Sequence, residues 1–363
     1  MKRVNGLFRR VHGWRNLLLA AALARRGKRH RQNVARFEFD QETELLALQR
    51  ELRSGTYCPG PFRTFVLFEP KRREISVAPY RDRVLHHALC NVLTPVFEPT
   101  FTRDSYACRV GKGTHAAVSA AKQLLRKFPC VLKADIARFF PTVDHGILLA
   151  AVARKIKDHE LLRLVETVVR HPFPAQQPCP FFPGDNLFTR LERPCGLPIG
   201  NQTSQFLGNV MLNGLDHFVR EELRAPGYVR YVDDFLVFGR STTELHAHRL
   251  AIEAYLATQR LRLNFSKTIV SRSHDGVRFL GFLLRLSGAW LTRSTRRRFR
   301  QRLRSWQRLY AQGELSQAEI GQRLSGWLGH VGHARCEPWL TRVLDEHPFC
   351  RRAHPETLAP TTD

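Results

Sequence analysis

Residues 227–239 read GYVRYVDDFLVFG, with two adjacent aspartates, Asp233 and Asp234, between two arms of β-branched and aromatic residues. The arms predict two strands, and the aspartates sit at their turn. Aspartate is a favoured turn residue, so a lone Asp-Asp would read as ordinary turn chemistry. Here Tyr228, Val229, Tyr231, Val232, Phe235, Leu236, Val237 and Phe238 would bury both arms. Two like charges beside a buried hairpin are costly unless a cation holds them. A second apolar run, residues 129–136 (PCVLKADI), ends in another aspartate, Asp135. Taken alone, Asp135 reads equally as a strand-end cap or an ion-pair partner. Taken with the pair, it supplies what two-metal phosphoryl transfer needs: carboxylates converging from separate segments. Magnesium takes hard oxygen ligands, which suits Asp and excludes Cys or His.

Composition points the same way. The 363 residues hold 58 Lys+Arg against 32 Asp+Glu, a net charge of +26. Such self-repulsion suits a polyanionic partner, with nucleic acid first and an anionic membrane surface second. Hydrophobic residues at 43% and aromatics at 10% allow a sizeable core and exclude wholesale disorder. The longest apolar run, residues 16–24 (NLLLAAALA), is about half of the ~20 residues a membrane span needs. Arginines on both sides favour an amphipathic helix over a signal peptide. The eight cysteines are scattered without a C-x-x-C, which suits free thiols in a reducing cytoplasm and gives no hint of structural zinc.

The spacing of apolar residues predicts helices over 40–54, 82–98, 114–127, 147–170, 203–223, 244–263 and 293–343. It predicts a hairpin over 61–80 and strands over 129–136 and 276–286. Residues 1–35 contain one short apolar helix, 171–198 form a Pro- and Phe-rich loop insertion, and the last ~18 residues form a tail. Without regular βαβ alternation the fold class is α+β.

Tyr231-Val232-Asp233-Asp234 resembles the Y-x-D-D box of reverse transcriptases. Residues 135–140 (DIARFF) resemble their first carboxylate motif, and Leu197-Pro198-Ile199-Gly200 with Ser204-Gln205 resembles the helix-leading motif between the two. Residues 81–85 and 105–115 resemble finger motifs, 264–268 (NFSKT) the lysine motif and 279–282 (FLGF) the primer-grip turn. Seven ordered motifs cover about residues 40–340. Where retroviral and group II intron enzymes usually carry Q-G-x-x-x-S-P, this chain reads I-G-N-Q-T-S-Q. That form is similar to the enzymes of diversity-generating retroelements, although phage-defence reverse transcriptases share parts of it.

The resemblance implies a right-hand polymerase. It has a basic N-terminal extension (1–39), fingers (40–130), a palm (131–285) with a finger-forming insertion near 146–195, a helical thumb (286–345) and a tail (346–363). It implies RNA-directed DNA synthesis with two Mg²⁺ held by Asp135, Asp233 and Asp234 and the carbonyl of Ile136. Lys267 is the implied proton donor to pyrophosphate. Lys71 and Arg73 would face the incoming triphosphate, and Phe140 would gate the sugar. Ile199, Gly200 and Gln205 would line the nucleotide pocket. An RNA template, the RNA/DNA duplex, deoxynucleoside triphosphates and a small basic accessory protein are the implied partners. A phage-defence or group II intron-like reverse transcriptase is the alternative lineage, and a polymerase fold kept only for RNA binding is the non-enzymatic alternative.

Three further features stand outside those motifs. Gly111-Lys112-Gly113-Thr114 lacks the upstream glycine of a phosphate loop; it reads equally as a turn or as a basic loop in which Lys112 touches nucleic acid. His330, His333 and Cys336 have metal-like spacing without a fourth ligand, which favours a polar helix face. The densest basic run holds Arg293, Arg296, Arg297, Arg298, Arg300, Arg302 and Arg304, and it suits the backbone of an A-form duplex.

Overall fold

The computed structural model describes residues 3–68, 72–173 and 180–350. Strands β1 (Arg63–Leu67) and β2 (Arg73–Val77) form an antiparallel hairpin. Next come β3 (Cys130–Asp135), β4 (Gly227–Tyr231), β5 (Asp234–Gly239) and β6 (Ile269–Arg272). These four make one antiparallel sheet in the order β4-β5-β3-β6. A third sheet joins β7 (Val277–Phe279), β8 (Phe282–Arg285) and β9 (Gly288–Leu291). Helices and antiparallel sheets are mixed, as the α+β expectation requires.

The central sheet is covered on both faces, which is why its strands read as near-continuous apolar runs. Leu132, Ala134, Tyr228, Phe235 and Val237 face one core, packed by helices Tyr80–Phe97, His145–Ala153, His159–Arg170 and Gln202–His217. Val131, Val229, Leu236 and Phe238 face a second core, made by helix Thr114–Lys127, the β7-β8-β9 sheet and the C-terminal helices. The two-residue period of a strand produces this division.

Several boundaries differ from the apolar spacing. Residues 147–170 are two helices, because Asp144 and Asp158 each cap a new start by accepting from Ile147 and Leu161 backbone N–H groups. The 244–263 helix ends at Thr258, before Arg260 turns at φ 55°. The 203–223 helix finishes in a wider π turn over Phe218–Glu222. The expected strand over 276–286 is the β7-β8 hairpin. Leu280 and Gly281 both have positive φ (49° and 88°), the geometry of a tight two-residue hairpin loop. Residues 293–343 divide into helices Arg293–Ala311, Gln317–Val331 and Glu337–Asp345. The N-terminal region holds three helices rather than one, and Leu17, Ala20, Ala21 and Ala24 of helix Trp14–Arg25 are buried. Cys195 is disulfide-bonded, so the expectation of free thiols fails there; six other cysteines are free. Among the described residues no helix is long and apolar enough to cross a membrane.

Candidate active site

The register of the central sheet sets Asp135 of β3 opposite Asp234 of β5, with Tyr231 of β4 opposite Asp234 on its other side. The loop between β4 and β5 is two residues, Val232 and Asp233. Val232 has φ 57°, a conformation that a β-branched residue rarely adopts. Both carbonyls of this turn are tied: Ile136 N–H donates to Asp233 O at 3.0 Å, and Arg230 Nη1–H donates to Val232 O at 3.1 Å. The register thus brings three acidic residues, at two strand ends and in one turn, into the same neighbourhood.

Their environment is hostile to charge. Burial, then repulsion from Asp135, raises the Asp233 pKa above the ordinary value. The Asp234 carboxyl is pushed up to about 7, first by burial; Lys133 opposes the shift, while Asp135 and Asp233 add to it. Asp234 Oδ1 is buried without a hydrogen-bond partner. Asp135 is satisfied differently: Lys267 Nζ donates to both of its oxygens, at 2.5 and 2.6 Å, and Asn264 Nδ2 donates to Oδ1 at 3.2 Å. Asn264 N–H also donates to Asp135 O, so the 264–268 segment is fastened to the end of β3 by backbone and side chain.

The hard-oxygen donors and the orphaned Asp234 oxygen fit a divalent ion chemically. As the side chains stand, no three His, Cys, Asp or Glu among the described residues group closely enough to hold one. Lys267 Nζ covers both oxygens of Asp135, so an ion shared by the three carboxylates would need that pair to open.

The remaining expected positions fall around this centre. Phe140 is half-buried beside buried Phe139, at 5.2 Å between ring centroids. Both rings press on Gly208 of helix Gln202–His217, where an added Cβ would lie 3.2 Å from Phe139 and 3.5 Å from Phe140. Ile199 and Gly200 lean on β2. Ser76 N–H donates to Ile199 O at 3.0 Å, and a Cβ on Gly200 (φ 117°) would meet Ile75 at 2.8 Å. Asn201 locks this contact through Ala78 N–H and Ser76 O. Gln205 is exposed and accepts from Cys108 Sγ at 3.4 Å. Arg73, at the start of β2, is exposed and lowers the Asp233 pKa through its charge. Lys71 lies outside the described residues.

Lys112 folds back instead of reaching outward: its Nζ donates to Arg103 O at 2.6 Å and lies 4.6 Å from the Tyr106 ring centroid. On helix Arg293–Ala311, Arg296 and Arg300 stack on Trp339, whereas Arg293, Arg297, Arg304 and Arg308 are exposed along one stripe. Arg298 turns toward Thr295. His330 and His333 meet His115, with ring centroids 5.8 and 4.1 Å away.

Sequence reasoning missed Arg230 and its partner Asp216, both fully buried. No signal singles them out: residues of both parities along β4 are buried, so a two-residue period does not distinguish Arg230 from its neighbours.

The model of the family described as reverse transcriptase (RNA-dependent DNA polymerase) matches residues 69–284, more than half of the chain. Protein YkfC of Escherichia coli (strain K12) is 27% identical over 285 residues, 66% of this chain and 71% of that protein. The group II intron-encoded protein LtrA of Lactococcus lactis subsp. cremoris is 24% identical over 181 residues, 49% of this chain and 28% of that protein. The mitochondrial nuclear intron maturase 1 of Arabidopsis thaliana is 25% identical over 91 residues, 25% of this chain and 13% of that protein. The matched region contains both acidic strand ends and the turn from β4 to β5, and by that match the chain belongs to the reverse transcriptase family.

Proposed function

We propose that the chain is an RNA-directed DNA polymerase that extends a primer 3′-OH with deoxynucleoside triphosphates on an RNA template. The observation that carries this reading is the register of the central sheet, which sets Asp135 against Asp234 with Asp233 in the adjoining turn. Residues 40–130 act as fingers, 131–285 as palm with the 146–195 insertion, and 286–345 as thumb.

Asp135, Asp233 and Asp234 hold two Mg²⁺, assisted by the Ile136 carbonyl. Bound Mg²⁺ supplies Lewis acidity to phosphoryl oxygens and charge compensation at the attacking and leaving groups. Lys267, which pairs with Asp135, is the general acid for the leaving pyrophosphate once that pair opens. Lys71 and Arg73 face the triphosphate, and Phe140 lies under the sugar and rejects a 2′-OH by shape. Ile199, Gly200 and Gln205 line the base side. The exposed Arg293, Arg297 and Arg304, with Arg298 beside them, follow the nucleic-acid backbone, and Lys112 joins them only on leaving its contact with Arg103 O.

The test is primer extension on RNA by the purified chain. Extension requires Mg²⁺, and Asp233→Asn abolishes it while RNA binding persists. An Asn variant with parental activity overturns the assignment. RNA binding without extension by the parent supports a polymerase fold kept for binding. Products unrelated to the supplied RNA point to template-independent synthesis of the phage-defence kind.

The I-G-N-Q-T-S-Q segment supports a finer reading: an error-prone enzyme of a diversity-generating retroelement, with a structured RNA and a small basic accessory protein as partners. Ile199 offers only apolar contact where an amide could hydrogen-bond, and apolar contact discriminates poorly. The names of the intron-encoded relatives support a second reading, an intron-type enzyme. Deep sequencing of cDNA separates the two. Frequent errors opposite template adenines, lowered by Ile199→Gln, support the first; uniformly low errors with the natural RNA and accessory protein present leave the second.

A further inference from the structure

Arg230 is the largest fully buried side chain among the described residues. All its guanidinium nitrogens are engaged. Nε and Nη2 donate to the two oxygens of Asp216, each at 2.6 Å. Nη2 also donates to Ser105 Oγ at 3.0 Å. Nη1 donates to Asn209 Oδ1 at 3.2 Å and to Val232 O at 3.1 Å. Tyr228 OH donates to Asp216 Oδ1 at 2.9 Å and helps fix the acceptor. Asn209 in turn donates to Ala107 O at 2.8 Å.

Stability alone does not account for such a pair. A buried ion pair is often no more stabilising than a well-packed apolar pair of similar volume. What an apolar pair cannot do is reach several acceptors at once in a planar fork. One of those acceptors is the carbonyl of Val232, the turn residue at φ 57°. Strained backbone of this kind persists only where its surroundings over-determine it. The other turn carbonyl, that of Asp233, is held by Ile136 N–H, so the guanidinium is the second anchor of a two-residue loop.

Resting on the polymerase reading above, we propose that Arg230, oriented by Asp216, is a positioning residue that clamps the Val232–Asp233 turn in its strained conformation. The clamp keeps Asp233 and Asp234 in register with Asp135. Through Asn209 and Ser105 it also ties the turn to helix Gln202–His217 and to the 105–113 loop.

The test is single-turnover extension of an RNA-templated primer by Arg230→Lys. A lysine keeps the charge against Asp216, but one ammonium cannot span Asp216 and Val232. The expected result is a folded protein whose rate falls about 100-fold, the scale of a small misplacement of reacting groups. Nucleotide KM and primer–template affinity stay within about threefold of the parent if the rate alone depends on that placement. Val232→Asn added to this variant restores most of the rate, because asparagine tolerates the left-handed conformation without a clamp. A slow Arg230→Lys that Val232→Asn does not restore overturns the proposal, as does an Arg230→Lys with parental rate. If Arg230→Lys does not fold, the same comparison is made in Arg230→Met/Asp216→Leu, which removes both charges. Parental rate there overturns the clamp. A parent that does not extend primed RNA with Mg²⁺ overturns the polymerase reading itself, and the clamp falls with it.

Discussion

Asp234 faces Asp135 across one strand pair, and its carboxyl titrates near neutrality because burial and two neighbouring carboxylates disfavour its charge. The consequence for stability follows from the sign of the shift. A carboxyl with a folded pKa of about 7 against an ordinary 3.8 contributes stability below the ordinary value and loses it as pH rises through about 7. Asp233 is shifted in the same direction. Mg²⁺ binds the deprotonated form, so its stabilisation of the fold is expected to be larger at pH 8 than at pH 6. Melting curves with and without Mg²⁺ measure this; an equal shift at both values would count against the carboxylates as the ion's ligands. Phe140 tests the same centre from the substrate side. Phe140→Ala is expected to relax ribonucleotide rejection by roughly 10- to 200-fold, the range of one shape contact in a pocket. Competition between ribo- and deoxyribonucleotides in primer extension reads it, and unchanged selectivity in a folded variant places the gate elsewhere. Gly208, which receives both phenylalanine rings, cannot be singled out from its neighbours by sequence, because its role lies in a contact between residues about 70 positions apart.

Asp158 shows how one side chain sets an element boundary. It interrupts an apolar pattern that otherwise continues through residues 147–170, and its Oδ1 caps helix His159–Arg170. Its Oδ2 accepts from Phe8 N–H at 2.8 Å, so the same carboxylate ties the N-terminal helices to this part of the chain. Asp158→Ala removes a cap and leaves a buried backbone donor unpaired, at a combined cost of about 2 kcal/mol. Urea unfolding should show that loss, with extension by the folded fraction unchanged; parental stability would mean water or relaxation replaces both contacts. The strands of the central sheet are more legible in the sequence than the helix ends. Their apolar runs over 129–136 and 227–239 persist because both faces of the sheet are buried. The break at Leu280–Gly281 is hidden from apolar spacing, which continues through it; the resemblance of 279–282 to a primer-grip turn marks it, and the positive φ of both residues shows it.

At the scale of the molecule, the +26 charge is not spread evenly over equivalent arginines. On helix Arg293–Ala311 two arginines pack on Trp339, while Arg293, Arg297, Arg304 and Arg308 form an exposed stripe without acidic partners among the described residues. Replacing these four by glutamine is expected to weaken duplex binding and flatten its salt dependence, by about one unit of log–log slope for each phosphate no longer neutralised. Titrations of an RNA/DNA duplex at several salt concentrations measure the slope; an unchanged slope moves the duplex off this helix. The sequence by itself determined the acidic strand ends, the apolar runs that bury them and the basic balance that calls for a polyanion, because each is a local pattern or a sum over the chain. Only the tertiary structure decided that Asp135 pairs with Lys267, that Asp234 keeps an unpartnered oxygen, and that Arg230 turns inward to hold a strained loop. Those outcomes depend on register and packing between segments that lie up to 132 residues apart, and no local pattern encodes which of many arginines or lysines will be drawn inside.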